Sequence, residues 1–177
     1  MTLRTTSWTP PENGALFVVA GASGTGKTTL VKHALESVPG LEFSVSATTR
    51  PIRAGETDGK DYLFLDRTSF MQRVDDGEFL EWAEVYGNCY GTLRRPVEDV
   101  LQRGQSILLD IDTQGAEQVR ASGIPHTSIF VLPPDMETLA DRLSNRGTDD
   151  PSVIERRLRE AHEQLSAAGT FDCIVIN

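Results

Sequence analysis

With 177 residues, 38% hydrophobic and 24% charged, the sequence has room for one core with small excursions and little room for two. Twenty-six acidic against seventeen basic side chains give a net charge of -9. That balance disfavours a nucleic-acid backbone as partner but leaves small nucleotides open, because local arginines and backbone amides hold phosphates in a protein of either sign. The longest apolar run, Ala15 to Ala22 with one glycine, is too short to span a bilayer, and residues 1–6 lack the apolar stretch of a secretory leader. Cys89 and Cys173 stand far apart with no C-x-x-C pattern. The expectation is a cytoplasmic chain with two reduced thiols and neither membrane nor zinc.

Residues 1–13 are polar, carry Pro10-Pro11 and read as a flexible tail. The apolar run Ala15–Ala20 then reads as a strand that enters Gly21-Ala22-Ser23-Gly24-Thr25-Gly26-Lys27-Thr28, a match to the phosphate-loop pattern G-x-x-x-x-G-K-[ST]. Lys27 to Ser37 follows as a helix with Leu30, Val31, Ala34 and Leu35 at helical spacing. In this order the glycines turn backbone N–H groups onto the β- and γ-phosphates of a nucleoside triphosphate. Lys27 supplies a mobile charge, and Thr28 a hydroxyl for magnesium. Pro39-Gly40 closes the helix, and Leu41 to Ser46 alternates as a second strand.

Ala47 to Gly59 is a polar excursion with Arg50 and Arg53 three apart, either a solvated loop or a functional one. Tyr62–Leu65 reads as a strand, Arg67–Asp76 as a helix, Phe79–Tyr86 as a strand, Gly87-Asn88 as a turn and Cys89–Thr92 as an antiparallel return. Together residues 46–95 are expected to form an inserted, mostly antiparallel lobe. A helix from Pro96 to Gln102 precedes the apolar run Ser106–Asp112, which has the look of a parallel strand buried on both faces. Side-chain alternation turns Asp110 and Asp112 the same way at its C-terminal end, the edge where ligands bind in open α/β sheets. Asp110 is also expected to serve the metal, directly or through water.

Gly115–Ala121 reads as a helix, Thr127–Leu132 as a buried strand, Asp135–Asn145 and Ser152–Ala167 as helices, and Phe171–Ile176 as the last strand. The break at Arg146–Pro151 is a candidate lid over about 142–157. Its arginines Arg142, Arg146 and Arg157 are placed to close over triphosphate oxygens, although Arg156, Arg157 and Arg159 equally suit one solvated helix face. The fold class expected is α/β: a three-layer phosphate-loop core with a parallel sheet (14–45, 96–141 and 158–177), the lobe and the helical lid.

Several motifs now stand in one order. They are the phosphate loop, Ser44-Val45-Ser46-Ala47-Thr48-Thr49-Arg50-Pro51-Ile52-Arg53-Ala54-Gly55-Glu56, Asp58-Gly59-Lys60-Asp61-Tyr62, Gly77-Glu78-Phe79-Leu80-Glu81-Trp82-Ala83, Tyr90-Gly91-Thr92, Asp110-Ile111-Asp112-Thr113-Gln114-Gly115 and Arg146-Gly147-Thr148. Through them the chain, from about Ala15 to Asn177, resembles the guanylate kinases, which phosphorylate GMP with ATP and Mg2+. The resemblance implies that Arg50, Arg53, Tyr62 and Tyr90 bind the GMP phosphate, and that Ser46, Glu81, Thr92 and Asp112 contact guanine. It further implies that residues 21–28 with Thr29, Arg142 and Arg146 hold ATP, and that Lys27, Arg50, Arg146 and Arg157 are catalytic. Cys89 departs from the pattern, standing where such proteins commonly carry tyrosine. Relatives also usually continue from the last strand into a closing helix.

Residue chemistry points the same way. Two arginines and two phenols supply charge-assisted donors for a near-dianionic phosphate. Guanine offers N1–H and N2–H2 side by side to a carboxylate such as Glu81, where adenine offers a bare acceptor. Thr92 or Ser46 hydroxyls can donate to O6. Two other readings remain: a kinase of the same fold with a different acceptor, which Glu81, Thr92 and Asp112 argue against, and a peptide-binding scaffold, which would not need Gly26, Lys27 and Thr28.

Overall fold

A computed structural model describes residues 14–144, 159, 161 and 164–177. Residues 1–13, Arg146, Arg157 and almost all of the expected lid lie outside them. The main sheet has five parallel strands: β1 (Leu16–Ala20), β2 (Leu41–Phe43), β7 (Ser106–Asp110), β8 (His126–Leu132) and β9 (Cys173–Ile176), in the order β2-β7-β1-β8-β9. The α/β class expected from the sequence is what the chain adopts.

β1 lies at the centre, and its residues show why. Leu16, Val18 and Ala20 join Ile107, Leu109 and Phe130 on one face, under α3 (Arg94–Gln102) and α4 (Thr113–Ala121). Val19 joins Leu108 and Val131 on the other, against Val31 and Leu30 of α1 (Lys27–Ser37). Apolar side chains on both faces suit a strand covered by helices on both sides, giving three layers. α5 (Met136–Ser144) sets Leu139 and Leu143 against Ala22 and Ala161.

The second sheet contains β3 (Ala47–Thr48), β4 (Leu63–Phe64), β5 (Phe79–Val85) and β6 (Asn88–Leu93) in the order β4-β3-β6-β5, antiparallel except for the β3–β4 pair. α2 (Arg67–Asp75), capped by Asp66 accepting from Ser69 N at 2.9 Å, covers it with Phe70, which stacks on Phe79 at 4.4 Å between centroids. Cys89 is fully buried in this cluster, and both of its backbone polar groups are held by Thr48 and Thr49. A thiol, smaller than a phenol, therefore fills that position in the lobe core.

Several expected boundaries shift, each for a local reason. The strand expected over Leu41–Ser46 ends at Phe43: after Ser44 N bonds Leu108 O at 3.0 Å, the chain leaves the main sheet and starts the second at Ala47. The strand expected to run to Asp112 ends at Asp110, because the Asp112 carboxylate accepts from Gly115 N at 2.7 Å and starts α4 two residues before the expected Gly115. Asp110 and Asp112 still border one cavity, as a strand end and a helix cap rather than as alternate residues of a strand. The β5–β6 turn is Tyr86-Gly87, both at positive φ (50° and 79°), so Asn88 already belongs to the strand. α3 begins at Arg94, with Pro96 inside a first turn where a missing N–H costs no helical bond. Of the helix expected over 152–167, the described part ends in a 3-10 turn, Ser166–Thr170. The last strand begins at Cys173, since Asp172 is engaged with Ser128 N and Oγ at 2.8 and 2.6 Å. Both cysteines are free thiols, and among the described residues no helix is long and apolar enough to cross a membrane.

Candidate active site

Where β1 ends, the chain turns through Gly24 and Gly26 at φ 86° and 87°, values that a side chain would resist, and enters α1 with Gly26 as its N-cap. Thr25 is fully buried and its Oγ1 donates to Ala22 O at 2.9 Å, so that this side chain braces the loop from behind. Lys27 Nζ donates to Gly21 O at 2.5 Å, folding the ammonium over the loop. Asp110 stands next to β1 in the sheet, paired with Val19, and burial pushes its carboxyl pKa up while the Lys27 charge draws it back.

One cavity of about 480 Å³ joins this loop to the lobe. Its floor is Gly21, Ala22, Ser23, Gly24, Gly26 and Lys27, with Thr28 and Thr29 beyond; Ser46, Tyr62, Glu81, Tyr90, Asp110 and Asp112 face them. Most residues singled out in the sequence thus border one space. Thr28 and Asp110 present two hard oxygens beside Lys27, and no cluster of three or more metal-ligating side chains occurs among the described residues. That donor set fits Mg2+, which binds through one or two side chains plus substrate phosphates, better than an ion needing an all-protein cage.

Besides Thr25, four of the singled-out residues among those described do not line the cavity. Arg50 is buried at 8% exposure, with its guanidinium carbon 4.9 Å from the Tyr62 ring centroid and 5.5 Å from that of Phe64. Arg53 is exposed on the excursion. Thr92 is fully buried, and its Oγ1 has no hydrogen-bond partner among the described residues. Arg142 donates to Asn177 O at 2.9 Å and to Thr25 O at 3.4 Å, tying α5 and the end of β9 to the loop.

Glu81 is the deeply buried acid on the lobe side of the cavity. At 5% exposure, burial pushes its pKa up to about 7, and the nearby Asp112 carboxylate adds to the rise; Thr92 draws it partly back, although its hydroxyl does not reach hydrogen-bonding geometry. The bulge between Phe79 and Glu81 explains the placement: Leu80 turns into the main core, Phe79 and Trp82 stay with the lobe, and Glu81 faces the cavity.

Glu56 is a site residue that neither the motifs nor the resemblance gives a role. Its carboxylate grips Arg50 Nη1 and Nη2 at 2.7 and 2.5 Å and accepts from Arg53 N at 2.8 Å. The Arg50 bond first, then the Arg53 N–H, hold its pKa well below the usual carboxylate range, and the same pairing raises that of Arg50. Its spacing, Arg50-x-x-Arg53-x-x-Glu56, was the available signal. Burial likewise raises the Tyr62 phenol, whose ring meets Tyr90 edge-on at 6.2 Å.

Comparison with known proteins adds an independent line. The family model described as guanylate kinase matches residues 13–177. A guanylate kinase of Thiobacillus denitrificans is 51% identical over 170 residues, covering 96% of this chain and 81% of that protein. One of Symbiobacterium thermophilum is 49% identical over 164 residues, covering 93% and 78% respectively. The crystal structure of guanylate kinase from Anaplasma phagocytophilum superposes with a TM-score of 0.73 at 34% identity, over 94% of this chain and 78% of that one.

Proposed function

The chain belongs to the guanylate kinase family, and from that premise we infer how its residues carry out the reaction. It phosphorylates GMP to GDP at the expense of ATP. We propose dGMP as a second acceptor, purine nucleotide metabolism as the context and the cytoplasm as the setting.

In the proposed mechanism the loop N–H groups and Lys27 bind the β- and γ-phosphates, and Thr28 and Asp110 hold the Mg2+ that supplies charge neutralisation at those oxygens when bound. Arg50, Arg53, Tyr62 and Tyr90 position the GMP phosphate. One of its oxygens attacks the γ-phosphorus in line, the bond to the β–γ bridging oxygen breaks, and ADP leaves with the electron pair. A phosphate oxygen is already nucleophilic, so no general base is required. The protein's contribution is alignment and charge stabilisation by Lys27, Arg50 and, in this proposal, Arg142, Arg146 and Arg157.

The observation that carries the acceptor assignment is Glu81, a carboxylate buried across the cavity from the phosphate loop and backed by the unpartnered Thr92 hydroxyl. Ionised, it accepts from guanine N1–H and N2–H2; Thr92 or Ser46 donates to O6, and Asp112 offers a further acceptor. A coupled assay of ADP release across GMP, dGMP, AMP, UMP and CMP is expected to show turnover on the two guanine nucleotides. Glu81→Ala should lower the guanine-over-adenine ratio by about 10^2-fold or more while the KM for ATP changes little. An unchanged ratio would remove Glu81 from base recognition.

A further inference from the structure

Gly115 is an odd choice for its place. It lies in the first turn of α4 with no unusual φ, where alanine is the better helix former, and it is buried. The reason lies outside the helix. A Cβ at Gly115 would come 2.6 Å from Glu81 Oε2, 3.2 Å from Glu81 Cδ and 3.4 Å from Asp112 Oδ1. The bare Cα is the surface on which the Glu81 carboxylate rests.

One turn further along α4, Gln118 fixes the strand that carries that carboxylate. Its Oε1 accepts from Trp82 N at 3.1 Å and its Nε2 donates to Trp82 O at 2.8 Å, so the side chain pairs with β5 as a neighbouring strand would. β5 is the edge of its sheet, and these are backbone groups that no strand of the sheet reaches. Gly115 and Gln118 thus meet adjacent residues of β5, one giving room to a side chain and the other clamping a backbone.

We propose that Gly115, seconded by Gln118, is a specificity-determining position: by leaving space for Glu81 and holding β5 at one height on α4, this edge of the helix aims the carboxylate at the purine base. The proposal rests on the reading of Glu81 as the guanine-recognising group. It makes Gly115 and Gln118 positioning residues, acting through Glu81 and touching no substrate.

The test is a double-mutant cycle with steady-state kinetics for both substrates. In the wild-type background Gly115→Ala is expected to raise the KM for GMP by about tenfold or more and to lower the guanine-over-adenine ratio in step, with the KM for ATP within about twofold and the melting temperature preserved. In a Glu81→Ala background the same substitution should alter the KM for GMP by less than about twofold, since no carboxylate remains to be displaced. Gln118→Met, which keeps length but loses both amide bonds, should also raise the KM for GMP more than that for ATP. Equal effects of Gly115→Ala in both backgrounds, or KM values for ATP and GMP that rise together, would overturn the proposal, as would a Gly115→Ala enzyme with unaltered GMP kinetics. Should Glu81→Ala itself leave the guanine-over-adenine ratio unchanged, the reading of Glu81 fails first. Should it collapse the ratio while Gly115→Ala does not move it, only the present inference fails.

Discussion

The two sides of the cavity are made from different materials. On the loop side the groups that face the space are largely backbone: Gly21 to Gly26 follow β1, Gly24 and Gly26 hold conformations open to glycine, and Thr25 is turned inward to brace them. On the lobe side they are side chains, and each depends on a neighbour. Arg50 is held by Glu56 and the rings of Tyr62 and Phe64, Glu81 by α4, and Tyr90 by the ladder between β3 and β6. A backbone cradle recognises phosphate of any nucleotide and is encoded by a few consecutive residues. A side-chain site recognises one base and is assembled from residues far apart in sequence, and so is sensitive to substitutions that never touch substrate.

Lys27→Met should separate the two sides most sharply. Removing the one long cation of the loop is expected to lower kcat by about 10^2 to 10^3, as loss of a charge-stabilising donor does elsewhere, while calorimetry shows GMP binding little altered. If GMP affinity falls as far as ATP affinity, the two sides of the cavity act as a single unit.

Next in size is Glu56→Gln, which retains shape and removes charge. Two outcomes of opposite sign are conceivable for a carboxylate so close to a phosphate-binding arginine: it either competes with the substrate phosphate for Arg50 or holds Arg50 in position for it. The simultaneous bond to Arg53 N favours holding, because the same group orders the segment bearing the second arginine. The KM for GMP should therefore rise by about tenfold, with the KM for ATP unmoved. A fall in the KM for GMP would make Glu56 a competitor instead.

What could be read ahead of the structure follows the same division. The phosphate loop and the strands on either side of it were legible because their signals are local: a glycine pattern and apolar runs that suit burial on both faces. β3, two residues long, has no periodicity to detect, and the crossing from one sheet to the other at Ser44–Ser46 resembles an uninterrupted strand because it continues to alternate. Asp112 was legible as a carboxylate at the ligand edge but not as the cap of α4, a role that moves the helix start by two residues. The bond between Gln118 and Trp82 spans 36 residues and leaves no trace in either segment alone, and Gly115 looks like any glycine near a helix start until Glu81 is placed against it.

The smallest effect is a pH dependence confined to the lobe side. Glu81 ionises near 4.5 as a free side chain and, buried, at about 7 in the folded chain, so between those values the folded state holds a proton that the unfolded state has released. A raised acid pKa favours the folded form below 4.5, and that contribution is lost as pH climbs through about 7; the ligand-free protein should therefore lose stability over this window. Guanine binding, which needs the carboxylate, runs the other way and strengthens as pH rises. Since the GMP phosphate also titrates near 6, guanosine is the cleaner probe, used as a competitive inhibitor. Its inhibition constant should increase about fourfold from pH 8 to pH 6.5, as the ionised fraction of Glu81 falls. In Glu81→Gln the dependence should flatten, whereas the KM for ATP in both proteins stays level over the same range. A guanosine profile in wild type as flat as that of Glu81→Gln would mean that the carboxylate is already ionised at pH 6.5, and that Thr92 and its surroundings compensate its burial more fully than their geometry suggests.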